Sequence, residues 1–214
     1  MRILLIRHGR QSDARCNVDV GLAAEGRRQA EAVARRIEHW GVEKMYSSDL
    51  IRARQTAEII NARLRLPHEI VGELREIDFG ALHGLTDEEI DARFGQFKQD
   101  QSRMDLDLHY PGPGGENIAD LLERVLPAIR AIAQGPENAV AISTHGVVIR
   151  ALAAFAVGIP LPRWRLVATA LENCSITELR SREPDLFTLE RLNDHAHLEA
   201  YPELLRSAWG VNEN

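Results

Sequence analysis

Two short apolar runs, each ending in a histidine and a glycine, constrain this chain more than any other feature. The first is M-R-I-L-L-I-R-H-G, residues 1–9. Residues 3–6 are apolar without alternation, as in a strand buried on both faces. The run stops at Arg7, His8 and Gly9. The second is A-V-A-I-S-T-H-G, residues 139–146, which stops at His145 and Gly146. Doubly buried strands belong to parallel sheets covered by helices, and such sheets bind ligands beyond the carboxyl ends of their strands. The two histidines and Arg7 are therefore placed where a ligand belongs.

The rest of the chain supplies the helices. Residues 26–40 predict an amphipathic helix, with Ala30, Val33, Ile37 and Trp40 on one stripe and Gly41 closing it. Residues 44–47 predict a strand. Residues 49–64 predict a second helix, capped by Ser48 or Asp49. Residues 67–71 read as a strand or extended edge, and residues 73–84 as a loop with two glycines. Thr86 and Glu89 form a capping-box pattern that opens a short helix over 86–94. Residues 96–115 have little periodicity, end in P-G-P-G-G, and read as a lid-like insertion. A strong helix covers 116–134, another 147–157, and late strands cover 175–179 and 186–192. The tail, 195–214, carries no clear pattern. The expectation is one domain over residues 1–214: an α/β three-layer sandwich with a mostly parallel central sheet and helices on both faces.

Bulk properties narrow the partners. A formal net charge of -6 argues against nucleic acid or an anionic membrane. The two cysteines, Cys16 and Cys174, have no metal-type spacing and suggest no disulfide framework, so a reducing cytoplasm is expected. The opening apolar run is too short for a signal peptide or a membrane span.

The chemistry that suits two histidines, an arginine and the start of a helix is phosphoryl transfer. A helix beginning right after His145 and Gly146 directs its amide groups and positive dipole end at an anion. A guanidinium matches the planar, multi-oxygen face of a phosphate. A neutral imidazole is a competent nucleophile toward phosphorus, and the reaction needs mainly positioning and charge neutralisation. The leaving alkoxide needs a proton, for which a carboxylic acid is a natural donor.

Taken together, the motifs resemble those of the histidine phosphatase superfamily, the phosphoglycerate mutase-like proteins. The opening R-H-G is Arg7-His8-Gly9. S-x-L-x-R-A-x-x-T-A stands as Ser48, Leu50, Arg52, Ala53, Thr56 and Ala57. The L-x-E-x-x-x-G-x-x-x-G loop is Leu74, Glu76, Gly80 and Gly84. Gly114-Gly115-Glu116, Ser143 to Gly146, and Leu192, Asn193, His197 and Leu198 complete the series in order. The resemblance implies that His8 is the nucleophile and becomes phosphohistidine. It implies that Arg7, Arg52 and His145, with Gly146, hold the phosphoryl oxygens. Glu76 would protonate the leaving group and then activate water. Arg52 would stand in the first turn of its helix, where a cation gains nothing from the dipole.

The chain also departs from the pattern. Ala14 stands where the family often has Asn, so Asn17 takes over the phosphate or substrate contact, with Gln11 and Ser12 displaced by one. Ala23 and Asn117 replace a Thr and a Ser. The segment after Glu76 is Ile77, Asp78 and Phe79, and residues 101–110 hold one basic residue, Arg103, among aspartates that include Asp105 and Asp107. That scarcity of positive charge favours hydrolysis of a small-molecule phosphomonoester, with no cofactor and no metal, over a cofactor-dependent phosphoglycerate mutase. A non-catalytic phosphate-binding module on the same fold is the third reading. Asp194, His195 and His197 have D-H-x-H spacing that could also be read as metal ligands. A homo-oligomer is compatible with all of these readings.

Overall fold

The computed structural model describes residues 1–183 and 186–209. Its centre is β1 (Arg2–Arg7), where Ile3, Leu4, Leu5 and Ile6 are wholly buried. The strand alternates between two cores. Ile3 and Leu5 face the side covered by α4 (Ile118–Ala133) and α5 (Gly146–Ala156). Leu4 and Ile6 face the side covered by α1 (Ala24–Ile37) and α2 (Ile51–Leu64). Each such side chain is worth roughly 1.5–3 kcal/mol of burial. The unbroken apolar run is thus the imprint of a sheet between two helical layers.

The sheet has six strands in the order β3-β2-β4-β1-β5-β6. Strands β2 (Lys44–Ser47), β3 (His68–Ile70), β4 (Ala139–Thr144) and β1 are parallel to one another. The last two strands, β5 (Ile176–Glu183) and β6 (Leu186–Asp194), run antiparallel. The expected three-layer, mostly parallel α/β architecture is the one observed. After β1 the chain passes to α1 on one face, and after β4 to α5 on the other. The gap between the carboxyl ends of β1 and β4 is therefore a topological switch point, where open sheets leave a crevice.

Several boundaries differ from those expected, for local reasons. Helix α1 starts at Ala24 and stops at Ile37, and Gly41, at φ 71°, closes a turn beyond its end. Neither Ser48 nor Asp49 caps α2: its first helical residue is Ile51, and Leu50 at the cap position makes no side-chain bond. Ser48 is drawn to His145 and Asp49 to Arg75. The cap comes instead from Asp19, whose Oδ1 accepts the Ile51 N–H at 2.8 Å. Helix α3 (Asp87–Ser102) does begin at the Thr86–Glu89 capping box, but it runs eight residues past Phe94. Phe94 is kinked out of helical geometry (φ -127°, ψ 22°), which breaks the periodicity at that point. The irregular stretch is thus residues 103–115, and it is anchored: Asp107 accepts from the Ile118 and Ala119 N–H groups and so caps α4. Asn117 adds a capping box with Asp120.

The loop after His8 lies directly on α1. A Cβ on Gly26 would sit 2.1 Å from the Arg10 carbonyl oxygen, and one on Gly9 would sit 2.5 Å from that of Gly26. Two backbones approach here as closely as glycine permits. Gly26→Ala should therefore lower the unfolding free energy by roughly 1–3 kcal/mol in urea titration, as overpacking does. Gly95→Ala, where a Cβ meets open space, is the control and should cost nothing measurable.

Candidate active site

The parallel register brings the site together. Arg7 pairs with Thr144 across β1 and β4, and Ser47 with Ser143 across β2 and β4. The next residues on three adjacent strands are therefore Ser48, His145 and His8. All three are buried. The two imidazole rings lie 5.3 Å apart, centre to centre.

His8 is fixed from several sides. Its N–H donates to Thr144 O (2.9 Å) and its carbonyl accepts from Asn173 Nδ2 (2.8 Å). The ring Nδ1 lies 2.8 Å from Gly9 O. A carbonyl can only accept, so Nδ1 carries the proton and Nε2 presents its lone pair. Thr56 supports the same turn: its Oγ1 accepts the Gly9 N–H at 3.0 Å and donates to Arg52 O at 2.7 Å. Burial, then Arg52 and Arg7, hold the His8 imidazolium well below its usual range, so the ring is neutral.

His145 is neutral for the same reasons, burial first and Arg52 second. Its Nε2 lies 2.6 Å from Ser48 Oγ, while its Nδ1 is buried with no partner. The Ser48 hydroxyl can donate to Nε2, an arrangement that puts the ring proton on Nδ1, the nitrogen without a partner.

The arginines complete the pocket. Arg52, on the first turn of α2, donates to Val18 O (3.1 Å) and to Asn17 Oδ1 (2.6 Å). Asn17, held in the left-handed region at φ 50°, thus orients Arg52. Arg7 donates through Nη1 to Leu171 O. Burial, then the charge of Arg206, brings the Arg7 guanidinium down to about 9, still charged at neutral pH. The Nε atoms of Arg7 and Arg52 are both buried without a partner. Gly146 leaves room beside Arg7, since a Cβ there would lie 3.5 Å from its Nε.

Glu76 alters one expectation. The amino end of α5 does meet an anion, but that anion is the Glu76 carboxylate. Val147 N–H donates to Oε2 (3.2 Å) and Val148 N–H to Oε1 (3.3 Å). Helix dipole and amide donors favour a carboxylate at this spot. Arg124 of α4 holds the loop that carries it. Its guanidinium donates to the carbonyls of Glu73 (2.6 Å), Arg75 (2.9 Å) and Glu76 (2.9 Å), and to both Glu116 oxygens. Glu116 also accepts the Asp78 N–H at 2.8 Å.

The structure therefore gathers His8, His145, Arg7, Arg52, Glu76, Gly146 and Asn17 in one place. It separates the D-H-x-H residues: Asp194 pairs with Arg36 and Arg191, His195 Nδ1 meets Asn193 O, and His197 Nε2 meets Cys174 O. The sequence assigned Ser48 only a helix cap and gave Thr56, Arg124 and Arg150 no part in the site, although Ser48 and Thr56 belong to the same motif as Arg52. Arg150 lies one turn into α5 and donates to Ala168 O and Thr169 O.

Comparison with known proteins shows the family. The model of the histidine phosphatase superfamily (branch 1) matches residues 3–195, and the chain belongs to that family. It is 30% identical to a probable phosphoglycerate mutase GpmB of Salmonella paratyphi B, over 94% of this chain and 96% of the relative. Among solved structures it resembles Bacillus stearothermophilus YhfR, with a TM-score of 0.81, 28% identity, and coverage of 92% of this chain and 99% of that one. A mycobacterial glucosyl-3-phosphoglycerate phosphatase with inorganic phosphate gives a TM-score of 0.80 at 28% identity, covering 92% and 98%. No single helix among the described residues is long and apolar enough to cross a membrane.

Buried neutral histidines make stability depend on pH. His8 and His145 are held well below 6.5, and burial takes His197 down to about 4. The unfolded chain binds these protons near pH 6.5 and the folded chain does not. Stability is therefore level above pH 6.5 and falls as pH drops below it, by up to about 1.4 kcal/mol per pH unit per histidine. Urea midpoints between pH 7.5 and 5 should show this slope, and it should shrink in His8→Asn and His145→Asn. A second outcome concerns Ser48. Ser48→Ala should reduce the Nδ1–H tautomer of His145 in 15N spectra and lower kcat roughly ten- to a hundredfold, the effect of one unmet buried hydrogen bond. Ser48→Thr should restore both.

Proposed function

We propose that this chain is a phosphomonoester hydrolase acting through a phosphohistidine at His8 on a small phosphorylated metabolite. One observation carries the reading: Arg7 Nε, Arg52 Nε and His145 Nδ1 are all buried at one site with no hydrogen-bond partner. Each unmet donor is costly, about 1–3 kcal/mol and more where charged. A phosphoryl group supplies the oxygens that all three lack.

The chemistry is set by these atoms. His8 Nε2 attacks phosphorus while the ester P–O bond breaks, and the departing alkoxide takes a proton from Glu76. A dianion arriving beside Glu76 favours its protonated form. Arg7, Arg52 and His145 hold the three equatorial oxygens as charge develops. Water then attacks the phosphohistidine, Glu76 takes its proton, and inorganic phosphate leaves with neutral His8 regenerated. No residue in this scheme requires a metal.

Hydrolysis rather than transfer is favoured by the three residues after Glu76. Ile77 is buried, Asp78 accepts the Gly80 N–H, and Phe79 packs edge-on against Tyr110. None of these side chains is a cation that would hold an acidic product alcohol for return of the phosphoryl group, and Asp78 would repel one. The second reading, a phosphoglycerate mutase, is favoured by the name of the Salmonella relative.

Incubation with 4-nitrophenyl phosphate and a chelator tests the proposal. The wild type should turn over, and His8→Ala should lose at least about a thousandfold. Glu76→Gln should slow turnover by about 10²–10⁴ and accumulate an acid-labile phosphoryl group on His8, because this leaving group needs no acid but the attacking water needs a base. Phosphoglycerate interconversion with little phosphate release would favour the mutase, and no phosphohistidine in a folded protein would overturn both readings.

A further inference from the structure

The end of the chain returns to the active site. Leu198 and Leu204 are buried against Ala32 of α1. Gln29, wholly buried in α1, donates to Leu204 O at 2.7 Å and accepts the Arg10 N–H at 2.9 Å, so one amide ties the tail to the loop after His8. Two residues later the Arg206 N–H donates to Glu172 Oε2 at 3.0 Å. Glu172 lies between Leu171, whose carbonyl accepts from Arg7, and Asn173, which donates to the His8 carbonyl. Arg206 is thereby seated on the three-residue strut that supports the nucleophile and its arginine.

Its guanidinium is uncommitted. Arg206 makes no ion pair among the described residues, and its Nε is buried with no hydrogen-bond partner. The nearby cations are already engaged. Arg150 is spent on Ala168 O, Thr169 O and the face of Trp164, and Arg165 on Gln101 and the other contact with Trp164. The charge of Arg206 is felt at Arg7, His8 and Arg150. The carboxylates of Glu76 and Glu172 lie among these cations, but neither forms an ion pair with the Arg206 guanidinium, and a bound anion relieves the remaining excess of positive charge. The transferred phosphoryl group answers Arg7 and Arg52 and leaves Arg206 over.

We propose that Arg206 forms a second anion site beside the phosphoryl pocket, binding a carboxylate or second phosphate carried by the alcohol portion of the substrate. The inference rests on the phosphoryl pocket of the proposed function and narrows its substrate to doubly anionic esters. It also moves the positive charge that selects substrate. Residues 101–110 are poor in cations, and their Asp107 is occupied as a helix cap, so the selecting charge comes from the tail instead.

Binding and turnover of three probes test this: ethyl phosphate, phosphoglycolate and propane-1,3-diol bisphosphate. Calorimetry on the wild type should show phosphoglycolate or the bisphosphate binding more tightly than ethyl phosphate. Which of the two gains identifies the second group. In Arg206→Gln that advantage should fall roughly ten- to a hundredfold, the effect of losing a charge-assisted hydrogen bond. Arg206→Lys should keep part of it, and an unchanged urea midpoint shows that both variants fold. The kcat/KM ratios should follow the same order. The proposal is overturned if the wild type shows no advantage, if the advantage survives Arg206→Gln, or if all three probes weaken equally, which would place Arg206 on the transferred phosphoryl group. If the advantage is present and lost as expected but no probe is hydrolysed, the anion site stands and the hydrolase reading fails.

Discussion

The backbone register between β1, β4 and β2 is the constraint on which the rest depends. A parallel ladder fixes neighbouring residues to within a hydrogen bond. Here it sets His8, His145 and Ser48 side by side at one sheet edge. A slip of one residue would turn Leu4 and Ile6 into the opposite core and carry the histidines to different faces. The two apolar cores enforce the register, because each accepts only one alternate set of β1 side chains. Packing of residues that do no chemistry thus holds the spacing of those that do.

On that edge the electrostatics run against stability. Arg52 and two imidazoles are buried together beside the half-buried Arg7, and three of the four side chains have a buried nitrogen without a partner. The imidazoles answer by staying neutral, which is also the form in which His8 can act as a nucleophile. Burial and catalysis therefore ask for the same protonation state. The remaining mismatch, buried guanidinium N–H groups, is one that a phosphate is shaped to resolve. Loops surround this cluster with polar partners: the Val18 and Leu171 carbonyls accept from Arg52 and Arg7, and the Asn173 side-chain amide donates to the His8 carbonyl.

Much of this was legible because it is written in short-range signals. An unbroken apolar run with His-Gly at its end marks a doubly buried strand and its exit, and Thr86 with Glu89 marks a helix start. The parts that could not be read depend on partners distant in sequence. Asp19 caps α2 across 32 residues, and no local pattern announces it. Ser48 reads as a helix cap until β2 and β4 are placed side by side and His145 claims it. Phe94 hid the second half of α3 by breaking its period. Arg206 sits in a tail without periodicity, so only the fold shows which site it reaches.

The placement of Glu76 explains why the pocket is divided as it is. A helix amino end is the strongest anion site that a bare backbone offers. In this chain the Glu76 carboxylate takes it, through the Val147 and Val148 amides, and the proposed mechanism leaves the side chains of Arg7, Arg52 and His145 for the phosphoryl group. The division has a chemical logic. Amides of a helix cannot move, so they fix the carboxyl group at one edge of the pocket, where Arg124 and Glu116 also hold its loop. A proton donor that must serve first the leaving oxygen and then a water needs that constancy. In the proposed mechanism the phosphoryl oxygens meet side chains instead, with Arg52 held by Val18 and Asn17, Arg7 by the Leu171 carbonyl and His145 by Ser48. Backbone donors thus go to the group that stays, and side-chain donors to the group that the proposed mechanism transfers.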